Sequence, residues 1–282
     1  MNEWPLVLFT LLMQLSIGCV VMAWFYQQFA CSDLKKDELP HIVRPAIMMA
    51  FFFGLAALGA SFEHLGNSLH AFYTLTHISS SWMSREILCP ALFMGLLFLS
   101  IMIILIKGYV SFGLVALTAI VGLIDIFMMA AIYDHSIFTL WNGWQTYTAF
   151  YGSSLLMGSV LSALFMLPKL NEYGSGNESL ALTLFNVALA GLFLITISTV
   201  AMFFMASPGQ PLSSALNAKT LPEGVVSFSI IRYTLVLLGM FMIGKVLVKP
   251  QARSVPFTLF ITLICMILGE LSGRYVFFSV GG

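Results

Sequence analysis

Three of the five histidines and two glutamates lie in one polar stretch, residues 63–86, between two strongly apolar segments. The adjacent pair Glu63 and His64 opens this stretch, and Glu86 closes it. Histidine changes its charge near neutral pH, and a carboxylate can take up a proton. A lipid-soluble quinol releases protons as it gives up electrons, so we predict that His64 binds its ring hydroxyl and that Glu86 or Glu63 accepts a proton.

Further ionisable side chains fall inside apolar segments, namely Asp125, Arg232, Glu270 and Arg274. Such residues are costly in a bilayer and mark candidate functional sites. We expect Arg232, Glu270 and Arg274 to hold the shape of the quinol pocket and to tune its potential. Arg232 could also pair with Asp125 or Glu86, and the role of Asp125 is left open.

For Glu270 and Arg274 a purely structural interpretation is equally open. Glu270 and Arg274 stand four residues apart with the acid first, which suits an ion pair along one helix. Gly269 and Gly273 lie in the same turns and would allow a second helix to approach closely. The pair could therefore clamp two helices together instead of forming part of a site.

The composition indicates a polytopic membrane protein. Of 282 residues, 60% are hydrophobic and only 9% are charged, whereas soluble domains carry roughly 25% charged residues. The formal net charge of zero gives no basic footprint for nucleic acid. The four cysteines, Cys19, Cys31, Cys89 and Cys265, have no metal-ligand spacing, so we predict no iron–sulfur cluster or other metal in this protein.

Apolar segments long enough to cross a bilayer recur eight times along the sequence. They cover approximately residues 5–28, 43–62, 87–106, 110–132, 147–168, 181–205, 228–248 and 255–277. Helices satisfy their own backbone hydrogen bonds in lipid, so we predict an all-α bundle of eight transmembrane helices. It forms one transmembrane domain, residues 1–282, and the connection 63–86 carries the proposed quinol site.

The distribution of basic residues predicts the orientation. Eight of the twelve Lys and Arg residues fall in odd-numbered connections between spans and two in even-numbered ones. The positive-inside rule then places the odd connections in the cytoplasm. Both termini and the connection 63–86 are accordingly expected on the outer, periplasmic face.

Three other functions are considered. A haem held by two histidines needs histidines that face each other within spans, and no histidine lies in the middle of any predicted span. A transporter often has broken helices at the midplane, whereas the ionisable residues here lie away from it. A transporter and a non-redox scaffold remain the alternatives to a quinol-oxidising protein.

The segments "HLGNSLHAF", residues 64–72, and "SSSWMSREI", residues 79–87, resemble a hallmark of the membrane anchor subunit of anaerobic dimethyl sulfoxide reductases, the DmsC-like family. The opening "NEWPLVLFT" and the closing "LGELSGRYVFF" resemble the ends of the same family. Three positions depart from its pattern: Ser68 stands where the family usually has Pro, His70 stands where it usually has Arg, and Glu63 places a second acid beside His64.

The resemblance implies a multi-pass anchor in the bacterial inner (cytoplasmic) membrane that oxidises menaquinol and itself carries no haem or metal. It implies two partner subunits, an iron–sulfur electron-transfer subunit and a molybdopterin catalytic subunit. The family's quinol-binding histidine falls on His64, and its implicated glutamate falls on Glu86. The terminal acceptor stays open between dimethyl sulfoxide, another S- or N-oxide, and an oxyanion of sulfur or selenium.

Overall fold

The computed structural model of the protein describes residues 4–29, 35, 37–64, 82–173, 177–206 and 224–280. The side chains of His64, of residues 82–84 and of Glu86 lie outside this description. Within it the polypeptide forms α-helices joined by turns, and the described residues contain no strand.

Eight helices follow one another in the described part of the sequence. They are α1 (Trp4–Phe29), α2 (Leu39–His64), α3 (Trp82–Lys107), α4 (Phe112–Asp134), α5 (Trp144–Tyr173), α6 (Asn177–Met205), α7 (Val225–Val248) and α8 (Val255–Ser279).

Every one of these eight helices is long and apolar enough to cross a membrane. The prediction of an all-α protein with eight spans is therefore confirmed, while the location of the two termini stays a prediction. Most helices run past the predicted spans, as where α5 continues through Pro168 to Tyr173. The length of an apolar run reflects only the thickness of the hydrocarbon layer. The helices continue beyond that layer with polar residues.

Helix α5 occupies the centre of the bundle. It packs against α1, α2, α4, α6 and α8, whereas α7 packs against α6 and α8 and α3 packs against α2 and α4. The helices α1 and α5 are also the most deeply buried of the eight. The other helices surround these two and expose large apolar side chains on their outer faces, as Phe52, Phe193 and Phe241 do.

Glycines allow the backbones of the central helices to touch. An added Cβ on Gly158 of α5 would meet the backbone of Gly18 on α1, and one on Gly18 would meet the carbonyl of Ser154. On another face of α5, an added Cβ on Gly152 would lie 3.0 Å from the carbonyl oxygen of Gly191 on α6. Apolar side chains gain little by leaving lipid for another helix, so this close packing and the polar contacts it permits hold the bundle together.

Serine hydroxyls add hydrogen bonds across the same crossings. The Ser16 hydroxyl of α1 donates to the carbonyl oxygen of Ala50 on α2 at 2.7 Å. The Ser154 hydroxyl of α5 donates to the carbonyl oxygen of Gln14 on α1 at 2.9 Å. Both hydroxyls are buried, and each such bond removes an unsatisfied polar group from the membrane interior.

Replacing Gly158 with Ala should lower the thermal stability of the purified protein, because the new methyl group would force α1 and α5 apart. We expect a loss of about 1–3 kcal/mol, seen as a lower midpoint in a melt in detergent. Gly95→Ala on α3 is the matched control, since an added Cβ there meets nothing within 4 Å. Equal midpoints for the two variants would contradict the proposed role of this crossing.

Candidate functional site

Three of the predicted site residues come together as a buried charged cluster between α7 and α8. Arg232, Glu270 and Arg274 expose 9%, 1% and 3% of their surface. The Nε and Nη2 atoms of Arg232 lie 3.1 and 3.0 Å from Oε1 of Glu270, and Nη2 also lies 2.9 Å from Oε2. Several charge-assisted hydrogen bonds thus join one guanidinium to one carboxylate, an arrangement stronger than bonds between neutral groups.

The pairing within this cluster differs from the prediction. Glu270 forms its ion pair with Arg232 of α7 and not with Arg274 one turn along its own helix. Likewise, the carboxylate that Arg232 binds is Glu270, not Asp125, which is fully buried on α4. The i to i+4 pair, which was one of two open interpretations, does not form because spacing along α8 alone cannot include a guanidinium from another helix.

Gly273 leaves room for the Arg232 guanidinium next to α8. An added Cβ on Gly273 would lie 2.5 Å from Nε of Arg232, and one on Gly269 would lie 3.2 Å from the backbone oxygen of the same residue. The two glycines therefore let α7 approach α8 closely, as predicted. The approach places the Arg232 side chain directly over the turn that carries Glu270.

Arg274 points to the other side of α8, towards α1 and α5. Its Nη2 donates to Oε1 of Gln14 at 2.5 Å, and its guanidinium carbon lies 3.8 Å from the centre of the Phe150 ring. An arginine over an aromatic face is stabilised by the ring quadrupole. Gln14 and Phe150 thus hold the second arginine inside the bundle.

A small polar cavity adjoins the cluster and extends between α5, α6, α7 and α8. Its volume is about 40 Å³, and hydroxyl groups of Thr146, Ser153, Ser198 and Ser229 line it beside the charged groups. The Ser153 hydroxyl donates to Oε2 of Glu270. An engineered cavity of about 150 Å³ takes up a benzene ring, whereas one water needs roughly 10–15 Å³. This cavity suits a few waters and is too small for a quinone ring.

The charges that line the cavity do not cancel. Two guanidinium groups and one carboxylate are the only ionisable groups in its described lining, so the site carries one excess positive charge. Such a charge in a medium of low dielectric attracts an anion or the negative end of a dipole strongly. The site therefore favours negative charge that develops nearby.

The turn between α4 and α5 covers this region. Nε1 of Trp141 donates to the carbonyl oxygen of Phe277 at 2.8 Å, and the two rings stack with their centres 5.2 Å apart. Asp134 fastens the same turn from within, since its carboxylate accepts bonds from the backbone N–H of Gly143 at 2.5 Å and from the Tyr147 hydroxyl at 2.9 Å. The turn thus fixes the last residues of α8 next to Arg274.

Helix directions place the end of α2 at the same end of the bundle. Hydrogen bonds from α1 meet α2 in reversed order, from Ser16 to Ala50 and from Cys19 to Ala46. The two helices are therefore antiparallel, and α2 ends where α1 begins. At that end Trp4 of α1 stacks with Tyr275 of α8, 6.4 Å between ring centres. We call this the cluster end, and His64 terminates α2 there.

The predicted catalytic pair is only partly described. Glu63 is exposed near the end of α2, and Glu86 is the fifth residue of α3. The side chains of His64 and Glu86, and residues 65–81 between their helices, lie outside the described residues. The pairing of His64 with Glu86 therefore stays a prediction, and Glu63 does not line the polar cavity.

Sequence reasoning did not identify several residues that hold the cluster. Gln14 could have been found, because it is a lone amide inside the apolar run of α1. Ser153 and Phe150 gave no such signal, since serines and phenylalanines are frequent in this protein and have many structural uses. Their roles become visible only through the contacts of α5 with α8.

Removing the carboxylate of the cluster should destabilise the protein, because it leaves two buried guanidinium groups without a counter-charge. For Glu270→Gln we expect a loss of about 3–5 kcal/mol, read as a fall in melting midpoint and in the amount of folded protein recovered from membranes.

Arg232→Met combined with Glu270→Met should recover much of that loss, since it removes a cation and an anion together. An E270Q variant as stable as the unmodified protein would show that the ion pair does not support the fold.

The sequence was compared with known protein families, curated proteins and solved structures. The model of the family described as DMSO reductase anchor subunit (DmsC) matches residues 1–280. The C subunit of the anaerobic dimethyl sulfoxide reductase of Haemophilus influenzae is 29% identical over 289 residues, which cover 99% of the present sequence and 94% of that protein. The YnfH subunit of an anaerobic dimethyl sulfoxide reductase of Escherichia coli is 26% identical over 284 residues, with 99% and 95% covered.

The C subunit of the anaerobic dimethyl sulfoxide reductase of Escherichia coli is 25% identical over 288 residues, which cover 99% of the present sequence and 95% of that protein. No solved structure matches. The family model spans almost the full length, and the eight apolar helices agree with a multi-pass membrane protein. The protein belongs to the DMSO reductase anchor subunit family.

Proposed function

We propose that this protein anchors a dimethyl sulfoxide reductase in the bacterial inner membrane, oxidises menaquinol at the cluster end and delivers the electrons to an iron–sulfur subunit. That subunit would pass them to a molybdopterin catalytic subunit. Family membership supports the anchor role and implies catalytic and electron-transfer partners. The observation that carries the quinol step is the buried Arg232–Glu270–Arg274 cluster, at the end of the bundle where α2 terminates in His64.

Each residue of the proposed quinol site has a separate role. His64 binds one ring oxygen of menaquinol, and Glu86 takes up the proton that this oxygen releases. Glu63, exposed next to His64, passes protons to the water at the membrane surface. Oxidation of one quinol releases two protons and two electrons; the protons leave through these carboxylates, and the electrons go to the partner subunit.

The proposed ring position lies outside the polar cavity. At about 40 Å³ the cavity suits water and not a quinone ring, which supports a ring nearer to the ends of α2 and α3, where a lipid-soluble molecule could enter from the bilayer. The charged cluster then acts on the ring electrostatically from within the bundle. Its excess positive charge favours a quinol that has lost a proton, which is the form that gives up electrons more readily.

The location and direction of the reaction follow from the predicted orientation. The positive-inside rule places the cluster end on the periplasmic side, so the partner subunits dock there and the protons are released on the same side. The named relatives are subunits of anaerobic dimethyl sulfoxide reductases, which makes dimethyl sulfoxide the first acceptor to test.

His64→Ala should abolish dimethyl sulfoxide reduction driven by a menaquinol analogue, because the quinol loses the group that orients it and shares its proton. General acid–base groups contribute about 100-fold or more to rates, so we expect a loss of at least this size. The same membranes should still reduce dimethyl sulfoxide when an artificial viologen dye feeds electrons directly to the partner subunits.

His41→Ala is the matched control, since His41 lies exposed near the opposite end of the same helix. It should leave both the quinol-driven and the dye-driven rates unchanged. Normal quinol turnover in the His64→Ala variant would favour a scaffold without a redox role, and loss of both rates would indicate failed assembly.

A further inference from the structure

A second cavity lies at the other end of the bundle, where α7 turns into α8. It is a groove of about 590 Å³, more than ten times the volume of the polar cavity. Phe241, Val248 and Val255 give it apolar walls, and Lys245 and Lys249 line it as well. We name it the α7–α8 groove.

The floor of this groove is open at Gly244. An added Cβ there would meet no atom within 4 Å, whereas one on Gly239, five residues earlier in the same helix, would lie 2.6 Å from the end of the Met266 side chain. Gly239 therefore packs against α8, whereas Gly244 faces open space. The exposed Phe241 and Val248 show that the groove opens on the face that lipid covers.

The described residues that line the groove carry only basic charge. Lys245 and Lys249 stand four residues apart and so lie on one face of the helix end, and no acidic residue is among the described ones that line the groove. Nζ of Lys245 lies 4.7 Å from the centre of the Phe241 ring, which holds the ammonium group at the groove wall. A helix C-terminus alone would favour these lysines, but it would not account for the open apolar space beside them.

The position of the groove determines which leaflet of the membrane it faces. Nδ2 of Asn171, near the end of α5, donates to the carbonyl oxygen of Pro250 at 3.3 Å, so the turn lies at the end of the bundle opposite the cluster end. The positive-inside rule predicts that this end faces the cytoplasm. Anionic phospholipids give the cytoplasmic leaflet its negative surface potential, and basic pockets between helices bind their headgroups.

We infer that the α7–α8 groove binds an anionic phospholipid, with one acyl tail against Gly244 and the apolar walls and the phosphate between Lys245 and Lys249. The charge of the lysines matches the phosphodiester, and the apolar space beside them matches the tail attached to it. This site is separate from the proposed quinol chemistry and lies at the opposite end of α7 and α8.

The test uses native mass spectrometry of the purified full-length protein with the subunits that co-purify. The delipidated protein is titrated with phosphatidylglycerol or with phosphatidylcholine of identical acyl tails. We expect one phosphatidylglycerol per protein molecule to bind preferentially. Lys245→Gln combined with Lys249→Gln should lower its affinity roughly 30-fold and leave the binding of phosphatidylcholine unchanged.

A second variant tests the groove and keeps the charges. Gly244→Trp places an indole in the open space and should prevent the bound phosphatidylglycerol from being retained. Each variant has a control: Arg44→Gln with Lys107→Gln removes two exposed basic residues elsewhere, and Gly95→Trp fills another open position on α3. Both controls should bind phosphatidylglycerol like the unmodified protein.

Several results would overturn the inference. They are equal affinity for the two lipids, unchanged phosphatidylglycerol binding in either groove variant, an equal loss in the controls, and a retained quinone in place of the phospholipid. The two groove variants act through different groups, so a folding failure of one, seen as loss of helical circular dichroism, leaves the other decisive. Quinol-driven turnover is not the readout, so failure here is distinguishable from failure of the proposed function.

Discussion

Backbone contact along α5 is the constraint on which the rest of the bundle depends. In a bilayer an apolar side chain gains little by leaving lipid for another helix, so helices associate where small residues let them touch. Gly158 of α5 meets Gly18 of α1, and Gly152 meets Gly191 of α6. These contacts fix α5 at the centre and turn Ser153, between the two crossings, towards α8. The Ser153 hydroxyl then reaches Glu270, so the polar site is a consequence of how closely the helices approach.

Three ionised side chains are tolerated in this interior because each has a partner of suitable chemistry. Arg232 and Glu270 neutralise each other through several hydrogen bonds, and Arg274 rests on the Phe150 ring and the amide of Gln14. The arrangement still retains one more cation than anion. A purely structural clamp would be expected to balance its charges. The imbalance, beside a water-sized cavity and at the end where α2 reaches His64, supports the proposal that the cluster assists quinol oxidation.

Segment length and hydropathy were sufficient to predict the number and type of helices, since crossing lipid imposes both. The grouping of Arg232, Glu270 and Arg274 was also predicted, because ionisable residues inside apolar segments mark candidate sites. Their pairing did not, because the spacing along α8 carries no information about the space that Gly273 leaves for a side chain of α7. The contributions of Ser153 and Phe150 required the full arrangement of helices. His64 and Glu86 were proposed from their residue types and family resemblance, and their mutual geometry remains a prediction.

The hydrogen bond between Gln14 and Arg274 also has a consequence for biosynthesis. Its two partners are 260 residues apart, on the first and the last helix. A ribosome adding about 5–20 residues per second needs roughly 10–50 s to cover that distance. During this interval α1 resides in the membrane with an amide whose bond to the guanidinium cannot yet form. The nascent protein must shelter that amide with water, the insertion machinery or earlier helices, and translation of α8 completes the interior of the bundle.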